Sequence, residues 1–279
     1  MKPGDIWLKK VAAYYDSKKK DLNWRLAADG IIHHHNGLIF DKTSFLRKMK
    51  TAGTAAGEAL IHRSETELSG FGFKFLDCPR KRARLLDAGC GRGGSSLLLA
   101  ERYPLLRITG VTLSAYQAAA ARAAARARGL DARIEFRRAS MLSLPVPENI
   151  FDRAWACEST EHLPSLPAFF GEMARVCVPG ARLVVIAGVR NPGHPGEKRF
   201  TRLANQVYFL KLHTEKEYLD AGASRGWELT CKKDLTRPAA NYWNMRAMLQ
   251  KGSGTEFFAA PAFTGGAFLY HLYAYDLVK

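Results

Sequence analysis

Apolar and polar positions alternate regularly along the middle of the chain. Short apolar runs, typical of buried strands, are separated by longer stretches in which apolar residues recur with the period of an amphipathic helix. Strand and helix in this order predict an α/β fold with a doubly wound parallel sheet. The apolar runs fall at residues 85–88, 106–111, 132–137, 151–156 and 182–187, and the clearest helical patterns at 114–127 and 168–176.

The segments on either side of this alternation predict further elements. Residues 6–50 carry aromatic residues among the charges, a composition that favours packed helices over a disordered tail. We expect residues 1–80 to form a helical cap on a core of residues 81–279, with a lid of helices inserted at about 190–225. The remaining elements are helices at 200–212, 215–221 and 241–249 and strands at 227–231 and 267–277, the last of which would complete the sheet.

A glycine-rich turn follows the first predicted strand. Asp87 ends the strand, and Gly89, Gly91 and Gly93 occupy alternate positions before a helical pattern begins. Glycines in such a turn permit positive φ and a close approach of the backbone to a ligand. An ordinary strand-to-helix turn has the same pattern, and a dinucleotide-binding oxidoreductase would need Gly94 as its third glycine and an acid after the second strand. Because ligands bind beyond the carboxyl ends of parallel strands, the residues there are the candidates for a site.

Composition narrows the class of protein. The chain has 279 residues, 47% of them hydrophobic, which is enough for a full core. No apolar run approaches the roughly 20 residues needed to cross a bilayer. The five cysteines form no C-x-x-C pair, so neither a disulfide framework nor a zinc site is indicated. We therefore expect a cytoplasmic protein without a membrane span.

The charge balance indicates an anionic partner. Lysine and arginine number 42 against 26 acidic residues, and the net charge is +16. Such a field favours a nucleic acid, an anionic membrane surface or a phosphorylated metabolite, although a solvated basic face has the same composition. The basic clusters lack the interleaved aromatic residues that a single-strand-binding groove requires. We therefore expect a small phosphorylated ligand and no nucleic-acid partner.

Residues 84–187 contain the glycine turn and the alternating strands and helices in an order that resembles the class I S-adenosylmethionine-dependent methyltransferases. The glycine turn matches the first motif of that family, and residues 112–114 stand where an acid often binds the ribose of the cofactor. No acid is present there, so Thr112, Leu113 and Gln117 are the candidates. The resemblance implies cofactor contacts from Asp87, Gly89, Gly91, Gly93, Thr112, Leu113, Gln117, Ser140 and Met141.

The segment after the fourth predicted strand contains the candidate catalytic group. Glu158 follows that strand, so its carboxylate is expected to point at the methyl group of the cofactor. When an alkene accepts a methyl group, a carbocation forms beside the new bond, and a carboxylate with aromatic faces can stabilise that cation before a proton is removed. A helix-capping role for Glu158 is the structural alternative.

Most of the chain resembles the geranyl diphosphate C-methyltransferases and their prenyl diphosphate relatives. The motifs concerned lie at residues 23–26, 29–30, 33–35, 158–160 and 242–246. The resemblance implies methyl transfer from S-adenosylmethionine to an alkene carbon of an isoprenoid diphosphate, with Mg²⁺ assisting. Glu158 would stabilise the cation and accept the proton, Tyr208 would lie beside the isoprenoid, and one histidine could also meet the metal, whose ligands are unknown. The implied substrate contacts are Asn23, Arg25, His33, His34, His35, Tyr242, Trp243 and Arg246.

Three positions depart from the pattern of that family. Ile32 and Asn36 stand where the geranyl enzymes have tyrosines, and Cys157 replaces an amide residue. These changes leave isopentenyl, geranyl and farnesyl diphosphate open as substrates. A hydrophobic acceptor without a diphosphate, such as a prenylated alkaloid, a sterol or a tocopherol precursor, also stays open, as do an RNA methyltransferase and a homo-oligomeric state.

Overall fold

The computed structural model describes residues 3–79, 81–250 and 252–278. Residues 1, 2 and 80 of the predicted cap and residues 251 and 279 of the predicted core lie outside these ranges. The strands are β1 (Ala83–Ala88), β2 (Leu106–Thr112), β3 (Ile134–Arg138), β4 (Phe151–Cys157), β5 (Cys177–Arg190), β6 (Trp227–Asp234) and β7 (Phe268–Leu277). The helices are α1 (Pro3–Ser17), α2 (Leu22–Leu26), α3 (Lys42–Thr51), α4 (Thr54–Phe73), α5 (Gly94–Arg102), α6 (Ala115–Ala127), α7 (Leu166–Val176), α8 (Glu197–Tyr208), α9 (Glu215–Ala223), α10 (Thr236–Arg246) and α11 (Glu256–Gly265), with a 3₁₀ helix at Thr160–His162.

The strands form one mixed sheet in the order β3-β2-β1-β4-β5-β7-β6. The first five strands pair in parallel, and β7 runs antiparallel between β5 and β6. The predicted α/β class with a doubly wound sheet is therefore confirmed. β5 is longer than the predicted strand at 182–187, because β7 continues to pair with it as far as Arg190.

Both faces of the sheet are buried, as a doubly wound arrangement requires. Successive residues of β1 point to opposite faces: Leu85 belongs to one apolar cluster, together with Trp155, and Leu86 belongs to the other, together with Val111. All four side chains are 2% exposed or less. The continuous apolar run of β1 thus reflects burial on both sides.

Helix α1 lies across the carboxyl ends of the parallel strands. The indole Nε1 of Trp7 donates a hydrogen bond of 2.8 Å to the carbonyl of His162, in the 3₁₀ helix that follows β4. At its other end, Asp16 accepts from the hydroxyl of Ser114 at 2.6 Å and from the backbone N–H of Tyr116 at 3.0 Å, both at the start of α6. Aromatic and polar side chains of α1 are thereby placed above the strand ends.

The elements after β5 differ in extent from the predictions. The inserted helix runs over Glu197–Tyr208 instead of 200–212, because Phe209 adopts a left-handed conformation with φ 54° and ends it. The helix predicted at 241–249 begins earlier, at Thr236, and ends at Arg246. Helix α11 was not predicted. Among the described residues, no helix is both long enough and apolar enough to span a membrane.

Candidate active site

The glycine turn after β1 packs against the segment that follows β4. Gly89 has φ +94°, and a Cβ atom at this position would lie 2.2 Å from Cβ of Ser159. The hydroxyl of Ser159 donates a hydrogen bond of 2.7 Å to the carbonyl of Ala88. Both the backbone conformation and the space therefore require glycine at position 89.

A cavity of about 850 Å³ opens where β1, β2 and β4 end. Its position is that of a small-molecule site in an open α/β sheet. Gly93 does not line it; with φ +87° and Phe136 in the way of any Cβ atom, this glycine shapes the turn instead. The lining includes the other eight predicted cofactor contacts, Asp87, Gly89, Gly91, Thr112, Leu113, Gln117, Ser140 and Met141.

Asp87 places a buried carboxyl group in this cavity. It is 2% exposed, and its Oδ2 accepts a hydrogen bond of 2.6 Å from the hydroxyl of Ser96. Burial raises the pKa of Asp87 to about 7. A cationic ligand group beside it would favour the ionised form, because an opposite charge offsets the cost of desolvation.

The turn after β2 offers a side-chain amide to the first cavity. The hydroxyl of Thr112 donates a hydrogen bond of 2.7 Å to Oε1 of Gln117, which fixes the side-chain amide. Nε2 of Gln117 lies about 4.0 Å from the position that a Cβ atom of Gly91 would take. His34 lies beside Gly91 of the glycine turn after β1, with its Cδ2 3.6 Å from the same Cβ position, and its Nε2 is buried without a hydrogen-bond partner among the described residues. Both nitrogens can donate to a ligand in the cavity.

A second cavity, of about 1120 Å³, adjoins the first. One part of its lining is polar and includes Lys18, which directly follows α1, and Asn23 of α2. Another part is apolar and comes from α8, α11 and the segment between α8 and α9. The residues that line both cavities are Tyr15, His34, His35, Glu158 and His162.

Glu158 stands where the two cavities meet. It follows β4 directly, has φ +46°, and its backbone N–H donates to the carbonyl of Ile186 at 2.8 Å. Its Oε1 accepts hydrogen bonds from the hydroxyl of Tyr270 at 2.5 Å and from the backbone N–H of Asn36 at 2.6 Å. Burial raises the pKa of Glu158 to about 7, against the opposing effect of these two donors. A non-glycine residue in this conformation is strained, and the surrounding bonds hold it in place.

A second buried acid, Glu161, lines the second cavity. Its Oε1 accepts from the backbone N–H of Gly188 at 2.9 Å. Burial and the charge of Glu158 raise the pKa of Glu161 to about 8, so it keeps its proton at neutral pH. Glu161 was not among the predicted site residues, although it lies three positions after Glu158 in the same motif.

His162, next to Glu161, is a neutral part of the wall. Its Nδ1 bonds to the carbonyl of Phe209 at 3.0 Å, so Nε2 is the acceptor for the hydroxyl of Tyr15 at 2.8 Å. Burial lowers the pKa of His162 to about 4. This network connects α1 to the segments that follow β4 and α8.

The three consecutive histidines take different positions. His33 is buried against Thr66, to which its Nε2 bonds at 3.1 Å, and it lines only the first cavity. His34 faces Asn23, with 3.2 Å between Nδ1 and the side-chain amide, and His35 bonds to the carbonyl of Asn36. Burial lowers the pKa of all three, that of His34 to about 3. They are therefore neutral donors and acceptors rather than a source of positive charge.

Two of the predicted substrate contacts lie away from the cavities. Arg25 forms an ion pair of 3.0 Å with Glu58 and lines neither cavity. Tyr242 is fully buried, donates to Oε1 of Glu65 at 2.7 Å, and lines neither cavity. The predicted substrate contacts that line the second cavity are Asn23, His34, His35, Trp243 and Arg246, and the predicted catalytic residues Glu158 and Tyr208 line it as well.

Lys18 is a cationic lining residue that sequence reasoning missed. Its Nζ lies 4.8 Å from the centroid of the Tyr14 ring. Arg246, the other strong cation in the lining, is 6% exposed and is already paired with Glu256 at 3.1 Å and with Glu65 at 3.6 Å. The described residues contain no group of three histidine, cysteine or acidic side chains that could hold a metal ion.

Comparisons with known proteins agree with this geometry. A family model described as a methyltransferase domain matches residues 86–185. The geranyl diphosphate 2-C-methyltransferase of Saccharopolyspora erythraea is 31% identical over 96% of this chain and 94% of its own length, and that of Streptomyces coelicolor is 30% identical over 99% and 94%. A crystal structure of the Streptomyces coelicolor enzyme with Mg²⁺, geranyl-S-thiolodiphosphate and S-adenosyl-L-homocysteine is 30% identical in sequence to this chain. The superposition of the two structures has a TM-score of 0.91 and covers 100% of each chain. The chain therefore belongs to the family of the geranyl diphosphate 2-C-methyltransferases.

Proposed function

We propose that this protein transfers a methyl group from S-adenosylmethionine to an alkene carbon of a prenyl diphosphate. The observation that carries the proposal is the position of Glu158, whose carboxyl group lies between a cavity built around the glycine turn and a second cavity with one polar and one apolar side. A cofactor in the first cavity and an isoprenoid in the second would meet at this residue.

The residues of the first cavity fit S-adenosylmethionine. Asp87 offers a carboxylate for the ammonium group of the cofactor, and Gln117 and His34 offer N–H donors for hydroxyl or carboxylate oxygens. Gly91 has φ +54° and no side chain, so its backbone can approach the ligand closely. When bound, S-adenosylmethionine supplies a strongly electrophilic methyl group.

Glu158 has the properties required of a group that meets a carbocation. An alkene that gains a methyl group becomes electron-poor at the neighbouring carbon, and a nearby carboxylate stabilises that charge. Loss of a proton from an adjacent carbon to Glu158 then restores the double bond. A pKa of about 7 suits a general base that works near neutral pH.

The aromatic side chains around the second cavity complete the environment. Tyr14, Tyr15, Tyr208 and Phe258 line it. Aromatic faces attract a cation, and their apolar surface excludes the water that would quench it. Tyr208 is held by a hydrogen bond of 2.5 Å from its hydroxyl to that of Thr255, so its ring is fixed in the wall.

The diphosphate would bind at the polar side, near Lys18 and Asn23. Lys18 is the stronger candidate for a charge-assisted bond, because the charge of Arg246 is already offset by two acids. Mg²⁺ is the proposed second cofactor. It prefers oxygen ligands and retains several waters, so it would be held chiefly by the diphosphate oxygens. A cytoplasmic location and a homo-oligomeric state stay predictions from the sequence.

Product analysis tests this proposal. The purified protein is incubated with methyl-labelled S-adenosylmethionine and Mg²⁺ against isopentenyl, geranyl and farnesyl diphosphates and against geraniol, and the dephosphorylated products are examined by mass spectrometry. We expect a gain of one methylene unit on at least one diphosphate and none on geraniol. Intact cofactor binding without transfer to any diphosphate would contradict the proposal and favour an acceptor that carries no phosphate.

A further inference from the structure

The apolar side of the second cavity is built from two facing helices and the segment that follows the first. We call it the tail wall and define it by Ala204, Leu210, Leu212, Phe258, Ala259 and Phe263. Glu158, Lys18 and Asn23 belong to the polar part of the lining. A prenyl chain that presents its reacting alkene to Glu158 and its diphosphate to Lys18 would place its remaining carbons against apolar lining residues such as those of the tail wall.

Two alanines are the small residues of the tail wall. Ala204 and Tyr208 are four residues apart on α8, and Ala259 and Phe263 are four residues apart on α11, so each alanine shares a helix face with an aromatic residue that also lines the cavity. A longer side chain at either alanine would therefore point into the cavity.

The neighbouring rings pack against one another, which limits the room for a larger side chain. Tyr208 lies edge-on to Phe258, with 6.3 Å between ring centroids, and connects α8 to α11. Phe263 packs against Phe268 at 5.8 Å, and Phe268 in turn packs against Phe200 at 6.3 Å. The depth of the cavity along the tail wall thus depends on the small size of the two alanines.

We propose that Ala204 and Ala259 determine which prenyl chain lengths the protein accepts. The inference rests on the proposed function and deepens it. An isopentenyl group would leave the tail wall uncovered, whereas a geranyl or farnesyl group would bury its terminal carbons there. Apolar contact with this wall would supply the discrimination between chain lengths.

Substitution of the two alanines tests the inference. We expect the unsubstituted protein to have a kcat/KM for geranyl or farnesyl diphosphate at least about tenfold above that for isopentenyl diphosphate, the scale on which apolar pockets discriminate. Ala204→Leu and Ala259→Phe should lower kcat/KM for the longer diphosphates by roughly tenfold or more while changing that for isopentenyl diphosphate by much less. The smaller substitutions Ala204→Val and Ala259→Val should show the same trend. They are included because they disturb the packing of the helices less and are more compatible with folding.

Ala260→Leu is the matched control. Ala260 is the next residue of α11, is 7% exposed, and does not line the cavity. Thermal melting and the cofactor Kd are measured for every variant. An equal loss for all chain lengths in folded variants with unchanged cofactor affinity would overturn the inference and leave the proposed function standing. Failure of the unsubstituted protein to methylate any prenyl diphosphate would overturn both.

Discussion

The hydroxyl of Tyr270 donates a hydrogen bond of 2.5 Å to Oε1 of Glu158. Tyr270 is fully buried in β7, opposite Gly188 of β5, so the last strand of the chain supplies a partner for the residue that follows β4. The other donor, the backbone N–H of Asn36, bonds to the same oxygen. Within the described residues, Oε2 of Glu158 accepts no hydrogen bond, which leaves it for the substrate.

Removal of the Tyr270 hydroxyl should change the pH dependence of the reaction. The bond stabilises the ionised carboxylate, so Tyr270→Phe should raise the pKa of Glu158, and the base form should appear only at higher pH. Because a hydrogen bond to a charged group contributes about 1.5–3 kcal/mol, we expect the acidic limb of the kcat/KM profile to move up by roughly one to two pH units. Tyr273→Phe is the control, since Tyr273 bonds to His271. An unshifted pH profile for Tyr270→Phe would show that the Tyr270 hydroxyl does not lower the pKa of Glu158.

Asp16 should contribute to cofactor affinity without touching the cofactor. It anchors α1 to the start of α6, and α1 contributes Val11 and Tyr15 to the cofactor cavity. Loss of two bonds to a carboxylate in Asp16→Ala should raise the Kd for S-adenosylmethionine by about tenfold. Ser17→Ala removes only an exposed bond within α1 and should leave the Kd unchanged. Titration calorimetry measures the Kd for S-adenosylmethionine of both variants. Equal Kd values for Asp16→Ala and Ser17→Ala would show that the bonds of Asp16 to α6 do not contribute to cofactor affinity.

Lys18 and Arg25 should differ in their effect on the diphosphate substrate. Lys18 lines the second cavity, and Arg25 is paired with Glu58 outside it. Lys18→Met should therefore raise KM for the prenyl diphosphate by about tenfold, as loss of a charge-assisted bond does. Arg25→Met should leave KM near its original value. The reverse order in steady-state kinetics would contradict the placement of the diphosphate beside Lys18.

Glu161 should make the free energy of unfolding depend on pH. Its folded pKa of about 8 lies above the unfolded value, so the folded state binds more protons and stability falls as pH rises from about 4.5 to about 8. Glu161→Gln has no charge to bury and can still accept the N–H of Gly188. The stability of this variant relative to the original protein should increase over that range by up to about 1 kcal/mol per pH unit. Denaturant unfolding of the two cofactor-free proteins at pH 5 and pH 8 measures this change in relative stability. The same difference in unfolding free energy at both pH values would contradict the raised pKa of Glu161.

The sequence allowed the parallel part of the fold and one cavity to be predicted because both depend on local patterns. The alternation of strands and helices fixes where strands end, and the residues just after β1, β2 and β4 meet there. Eight of the nine predicted cofactor contacts line the first cavity for this reason. Their roles toward the cofactor stay proposals.

The second cavity could be predicted only in part because it depends on contacts between distant segments. Tyr270 reaches Glu158 through the register of β7 against β5, and nothing in the local sequence gives that register. Arg25 and Lys18 both precede the histidine run, and only their packing shows which of them faces the cavity. Helix α11 contains Pro261 and is apolar around most of its circumference, so it lacks the amphipathic pattern that predicts a surface helix.

Turnover by Glu158→Gln tests the central claim most directly. Glutamine has nearly the same shape and can still accept from Tyr270 and Asn36, but it cannot take a proton or balance a cation. We expect the Kd for S-adenosylmethionine to be unchanged and methyl transfer to geranyl diphosphate to fall by about 10²–10⁴-fold, the contribution typical of a general base. Methyl transfer at the original rate, with the cofactor bound as tightly as before, would contradict the account.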